Sequence, residues 1–427
     1  MPGSAIVQAG NYSLLIDTGY DVGSFTLDSA VKGLLDGAYP LGPTTDFADV
    51  TESVTRINVR RGRQDQGDQF AAGTMTFTIQ DVDGIFNPFD ENSPYYNTPE
   101  ALPGLAPLRA VELIRYDASN NPEYLYRGKI VNYDYNFALD GLDSVTVYCS
   151  DNFYLLSQTY MNELNVGVET SGQRITTVLD LPEVDYPTGA ARNIDAGTVD
   201  LGHDASYTVP AGTNVLAYLS QINETAEFGR LFMSRSGVLT FTPRVGTTLS
   251  APVVDFHDNN TGTPYDNLGI TFEADAVTNR TLVQNLGGAI ANDENTASQA
   301  LFFIQTKSIT NSLLDDTELV AAAAYLLDPY PEARYNSVET VLGALTTAQR
   351  DTLVTVDISD TVSIEKTFPT GATTTTLAQE LTVEGIEHEI TLNGHRVRLF
   401  TSPTTIVYEL ILDDATYGTL DTTNVLG

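Results

Sequence analysis

The sequence predicts a mainly β protein with α+β elements, two antiparallel β domains joined by mixed helix and hairpin insertions. Three observations lead there. Runs with a period of two recur in the first and last thirds of the chain. The joints between them are rich in Gly, Pro, Asn and Asp. Helical spacing is strongest between residues 170 and 330.

Residues 1–45, with YSLLIDTGYDVGSFTLDSAVKGLL inside them, read as a small β unit or arm. A first β domain spans 46–150. Within it VTRINVRRGR and GTMTFTIQD form two strands joined by a polar loop, with Met75, Phe77 and Ile79 on one side and Thr74, Thr76 and Thr78 on the other. The stretch DVDGIFNPFDENSPYYNTPEALPGLAP is too rich in Pro, Gly, Asn and Asp to propagate helix or central strand. It reads as a long ordered loop anchored by Phe86, Phe89, Tyr95 and Tyr96. Strands resume at LRAVELIRYD, EYLYRGKIVNYDYNF and DSVTVYCSD.

A mixed α+β domain follows over 151–310. SGQRITTVLDL forms a short helix, and NVLAYLSQINETAEF places Val215, Leu219, Ile222 and Ala226 at helical spacing. GRLFMSRSGVLTFTPR then reads as a hairpin around Ser236-Gly237. The unit 311–403 begins with the strongest helix signal in the chain, 315–328, capped by Asp315 or Asp316 and stopped by Pro329. Strands follow in ARYNSVETVLG, DTLVTVDISDTVSIEKTF and the hairpin VEGIEHEITLNGHRVRLF, whose Asn393-Gly394 pair suits a type I′ turn. Residues 404–427 read as one more strand and a polar tail.

With 21 Lys and Arg against 56 Asp and Glu, the formal charge is -35, which excludes a basic nucleic-acid reader. Either a saline habitat or an acidic surface within an assembly accounts for it. The lone Cys149 excludes a disulfide scaffold, a CxxC redox motif and a thiolate-zinc site. No charge-free apolar run of 18 residues occurs, so no stable membrane insertion is expected, and the N-terminus lacks the pattern of a secretion signal.

Catalytic, cofactor-binding and metal-binding residues are all expected to be absent. There is no GxSxG elbow and no HExxH pattern. Asp81, Asp83 and Asp90 lack the spacing and terminal Glu of an EF-hand and read as loop caps. His388 and His395 read as a surface pair across the last hairpin. Arg56, Arg60, Arg61 and Arg63 bring four of the 21 cations into eight residues of an acidic chain. Pairing with carboxylates, at a subunit interface or inside the domain, gives them a use, and the interface is the reading taken here.

The strings DFADVTESVTRINVRRGR (46–63), FAAGTMTFTIQDVDGIFNPFDENSPYY (70–96), the lead-in to LRAVELIRYD and YRGKI (126–130) together resemble the minor tail proteins of long-tailed bacteriophages and related tailed viruses, the tail-tip or baseplate hub family. LAYLSQINETAEFGRLFMSRSGVLTFTPR (216–244) is similar to that family's helix and hairpin unit, and the last β segments to its C-terminal part. Residues 245–300 and those after 404 match nothing in it. The resemblance implies two hub-type β domains in a non-enzymatic virion protein that forms a ring, commonly a trimer, at the tail tip or baseplate. It implies as neighbours a tail tube or distal tail protein, a tape measure protein, and tail fibres or receptor-binding proteins, with viral DNA passing transiently and non-specifically. A receptor- or glycan-binding tail component and a carbohydrate-active enzyme stay open as alternatives; an exposed groove at 85–96 would favour the first, two convergent carboxylates the second.

Overall fold

A computed structural model of the chain describes residues 11–19, 47–64, 69–97, 101–139, 143–202, 207–244, 252–259, 261–370, 373–403, 408–409 and 424–425. Most of the N-terminal arm and of the C-terminal tail lie outside the described residues. The fold is mixed, dominated by antiparallel sheet with helical insertions.

The period-two runs become strands because each buries alternate side chains. β1 (Tyr12–Asp17) buries Tyr12, Leu14 and Ile16, and β2 (Phe47–Asp49) covers its edge. β3 (Val54–Gly62) buries Val54, Ile57 and Val59; β4 (Ala71–Asp81) buries Met75, Phe77 and Ile79 and pairs antiparallel with it, Ile57 opposite Phe77. β5 (Ala110–Tyr116), β6 (Pro122–Asn136) and β7 (Asp143–Ser150) complete the first set of strands.

The next residues build a second core. α1 (Phe153–Gln158) leads to α2 (Ser171–Leu179), which starts at a capping box of Thr170 and Gln173. α3 (Val215–Ile222), capped by Asn214, runs into a π turn that ends at Phe228 with φ 55°, and the chain enters the expected hairpin of β8 (Arg230–Met233) and β9 (Leu239–Thr242). β10 (Val254–His257) and β11 (Asn267–Thr271) leave this unit and join the large sheet. β12 (Arg280–Asn285), β13 (Ile290–Glu294), α4 (Thr296–Phe302) and β14 (Thr306–Ser312) form a small three-stranded unit in which β12 is central.

α5 (Leu319–Tyr325) is shorter than the 315–328 helix the sequence suggests, because Asp315 closes a turn on the Thr317 amide at 3.0 Å and residues 326–328 leave the helix for a bridge to Thr278. Its Leu319, Ala322 and Ala323 pack in the second core with Val283 and Leu314, not with the last β unit.

β15 (Arg334–Val341) is followed by a helix that the sequence reading took as the start of a strand. α6 (Thr347–Thr355) includes Asp351–Thr355, and its capping box of Thr346 and Gln349 outweighs the β propensity of those residues. β16 (Thr361–Thr370), β17 (Thr373–Thr391) and β18 (Gly394–Pro403) complete the large sheet. In the last hairpin Thr391 pairs with Gly394, so the two loop residues are Leu392 and Asn393. Neither has a positive φ, and the turn is therefore not type I′.

The large sheet has the strand order β2-β1-β5-β6-β7-β4-β3-β17-β18-β15-β11, with β16 joining β10 to β17. All its pairs are antiparallel except β10 with β16. The central join is β3 to β17, Ile57 opposite Ile390 and Arg61 opposite Ile386, which makes one sheet and one hydrophobic core of the first and last thirds of the chain. Among the described residues no helix is long and apolar enough to cross a membrane.

Candidate interface: the arginine strand and the aromatic loop

Strand alternation divides the four arginines. Arg56 and Arg60 stand with Asn58 on the solvent face of β3, whereas Arg61 follows Ile57 and Val59 inward. On the solvent face, charges of opposite sign alternate across the strands. Arg60 lies opposite Glu387, Glu387 opposite Arg398, and Arg398 opposite Glu339. Arg56 bonds Glu389 at 2.7 Å, and Arg396 reaches Glu339 at 3.3 Å. Arg60 is exposed and borders a hollow of about 310 Å³ together with Gln64, Gln69 and Thr74.

The inward arginines are already matched within the chain. Arg61, 3% exposed, donates to Asp357 Oδ1 at 2.6 Å. Asp357 in turn accepts the Arg235 amide at 2.8 Å, and Arg235 pairs with Glu123 on β6 at 2.6 Å. The second-core hairpin is thereby tied to the sheet. Gly73 permits this closeness, since a Cβ there would meet Asp151 Oδ2 at 2.7 Å and Arg61 Cγ at 3.1 Å. Asp151 accepts the Gly73 and Phe153 amides at 2.6 and 2.9 Å, yet burial prevails and pushes its carboxyl up to about 7.

Arg63 meets Glu384, whose side chain is wholly buried. Arg63 Nε donates to Oε2 at 2.8 Å, and Arg230 Nη2 and Ser402 Oγ donate to Oε1 at 2.9 and 2.6 Å. The ring of Phe70 lies under the Arg63 guanidinium at 4.4 Å. Burial alone would raise the Glu384 carboxyl, but Arg230 and Arg63 hold it at about 2. A bulge between Val383 and Gly385 turns Glu384 inward, and Gly62 at φ +80° fits against it, where a Cβ would strike Glu384 O at 2.2 Å. The sequence reading missed Glu384. Its signal was the spacing of Val383 and Ile386, three apart where an unbroken strand would bury every second residue.

The aromatic loop is held from its first residue. Asp81 accepts the Ile85 and Phe86 amides at 3.0 and 3.1 Å, so it acts as a cap. Among the described residues no three His, Cys, Asp or Glu side chains are grouped to hold a metal ion. Phe86 is buried against the half-buried Tyr95, ring centroids 5.1 Å apart, and Tyr96 is half-buried as well. Phe89 is not an anchor: it is 86% exposed, because Asn87 and Asp90 cap successive turns that carry its side chain outward. The loop encloses about 10 Å³, room for one water and too little for a sugar ring.

His388 and His395 meet, but in the interior rather than on the surface. They are 3% and 1% exposed, with His388 Nδ1 and His395 Nε2 3.0 Å apart and the Tyr12 hydroxyl 2.6 Å from His395 Nδ1. Burial pushes His395 down to about 3 and His388 well below its ordinary range. Both rings are neutral hydrogen-bonding members of the core.

The fold is similar to that of two tail proteins of known structure. It is similar to the 43 kDa tail protein of prophage MuSo2 from Shewanella oneidensis, at a TM-score of 0.53 and 12% identity, covering 84% of this chain and 95% of that one. It is also similar to the tail protein from Neisseria meningitidis MC58, at a TM-score of 0.55 and 12% identity, covering 92% of this chain and 97% of that one. No protein-family model and no curated protein matches the sequence.

Proposed function

We propose that the chain is a structural hub subunit at the tail tip or baseplate of a tailed virus, that several copies, three in the simplest case, close into a ring around the path of the genome, and that it works without catalysis. One observation carries the reading: the likeness to two tail proteins extends over nearly their whole length. The sheet adds a physical reason. Among the described residues its strand order runs from β2 to β11, two unlike ends, and a head-to-tail contact between unlike surfaces of successive copies forms a ring when the rotation between them closes.

In this reading Arg60 and its hollow accept a carboxylate from the neighbouring copy, while Arg61 and Arg63 hold the subunit itself together. The tail tube or distal tail protein, the tape measure protein and the fibres are the neighbours proposed. Native mass spectrometry of the purified chain and averaged images of particles that carry it test the reading. A closed oligomer, and density for it at the tail tip, are expected; a strict monomer at high concentration together with particles that lack it there would overturn it.

A further inference from the structure

We propose that the rim of the large sheet formed by the loop after β4 and the end of β6 docks an extended segment of another protein, one that carries lysine or arginine between apolar side chains. The first observation is a stack of rings. Tyr133, Tyr135 and Phe137 follow at i, i+2 and i+4 along β6 and its extension, with centroids 6.0 and 5.9 Å apart and planes inclined by 18° and 4°. The two tyrosines rest on the core, whereas Phe137 is 54% exposed and Leu139 entirely so.

The loop starts beside this stack. Asp81 lies opposite Asp143 in the β4–β7 pair, which itself neighbours β6, and burial followed by the Asp81 carboxylate pushes the Tyr135 phenol up to about 12. Past Asp81 the loop exposes Val82 and Phe89. The second observation is charge. No Lys or Arg occurs between Arg63 and Arg109, or between Lys129 and Arg174, while those stretches carry Asp83, Asp90, Glu91 and Asp143. The flanking Arg109 is taken by Asp17 at 3.0 Å.

The exposed ring of Phe137 and the carboxylates select the same partner group. A cation is drawn to both, and the methylene stem of a lysine or arginine covers the rings. Nucleic acid and anionic lipid are repelled by the same carboxylates. The ring spacing near 6 Å matches alternate residues of an extended chain, about 6.6 Å apart. The inference does not rest on the ring reading, and its failure would leave that reading as it stands.

The test is fluorescence anisotropy with a labelled twelve-residue peptide of alternating lysine and leucine, carrying a photo-crosslinker, and with its glutamate counterpart. The lysine peptide should bind, the glutamate peptide should not, and crosslinks should fall on 82–91 and 133–139. Phe89→Ser with Phe137→Ser should weaken binding about five- to ten-fold, while Phe303→Ser, at another exposed ring, should not. Both rim side chains are exposed, and Phe89→Ser alone serves if the double variant melts early. Three outcomes overturn the proposal. They are no binding, binding indifferent to the rim variants with crosslinks elsewhere, and a change in self-association that makes a second copy the occupant.

Discussion

Replacing Glu384 by glutamine should cost about 3 kcal/mol of stability. The carboxylate has no exposed side-chain surface, and its partners Arg63 and Arg230 have side chains only 10% and 14% exposed, so water screens the cluster little. The gap between about 2 in the folded chain and the ordinary 4.5 corresponds to about 3 kcal/mol at about 1.4 kcal/mol per tenfold change in proton affinity. Deleting one member of a buried pair costs about 3 to 5 kcal/mol, which agrees. Urea unfolding at pH 7, followed by circular dichroism, measures the loss. Because the folded value is depressed, the stabilisation is complete above about pH 4.5 and fades as pH falls toward 2, so the gap between wild type and Glu384→Gln should close over that window. A gap below about 1 kcal/mol at pH 7, or one undiminished near pH 2, would refute the cluster's role.

Arg61→Glu should destabilise the isolated chain by about 3 to 5 kcal/mol in the same assay, since it reverses a buried partner of Asp357. Arg60→Glu, which sets a like charge opposite Glu387, should lower stability by no more than about 1 kcal/mol and weaken assembly instead, as sizing by light scattering would show. The His388 and His395 rings should show no titration in nitrogen-detected NMR between pH 8 and 5, and a midpoint for either ring in that range would contradict their burial.

Alternation made most strands legible, down to the sides of Met75, Phe77 and Ile79. It also contains the parity that separates Arg60 from Arg61 within one cluster of arginines. Other features were not legible, for physical reasons. The union of β3 with β17 joins residues more than 300 positions apart, and no local pattern encodes such a partner. The histidines looked superficial because their burial depends on Tyr12, far away in sequence. α6 was missed because β-branched residues dominate its C-terminal half, while its capping box alone signalled a helix. Phe89 shows the opposite error, an aromatic residue assumed to anchor a loop whose turns carry it into water.

The union of β3 with β17 also has a consequence during synthesis. While the chain is being made, β3 is a strand with one open side, because Arg56 must wait for Thr391 and Gly62 for Gly385. At about 5 to 20 residues per second the wait lasts roughly 15 to 70 s, in which β3 could pair with the wrong strand or another nascent chain. The arginines of VTRINVRRGR then gain a second meaning. Charges along an open strand discourage mispairing, and Arg56 and Arg60 stand along the one that waits. When β17 arrives it brings Glu389 to Arg56 and Glu384 to Arg63, so the groups that guard the nascent strand also recognise its late partner.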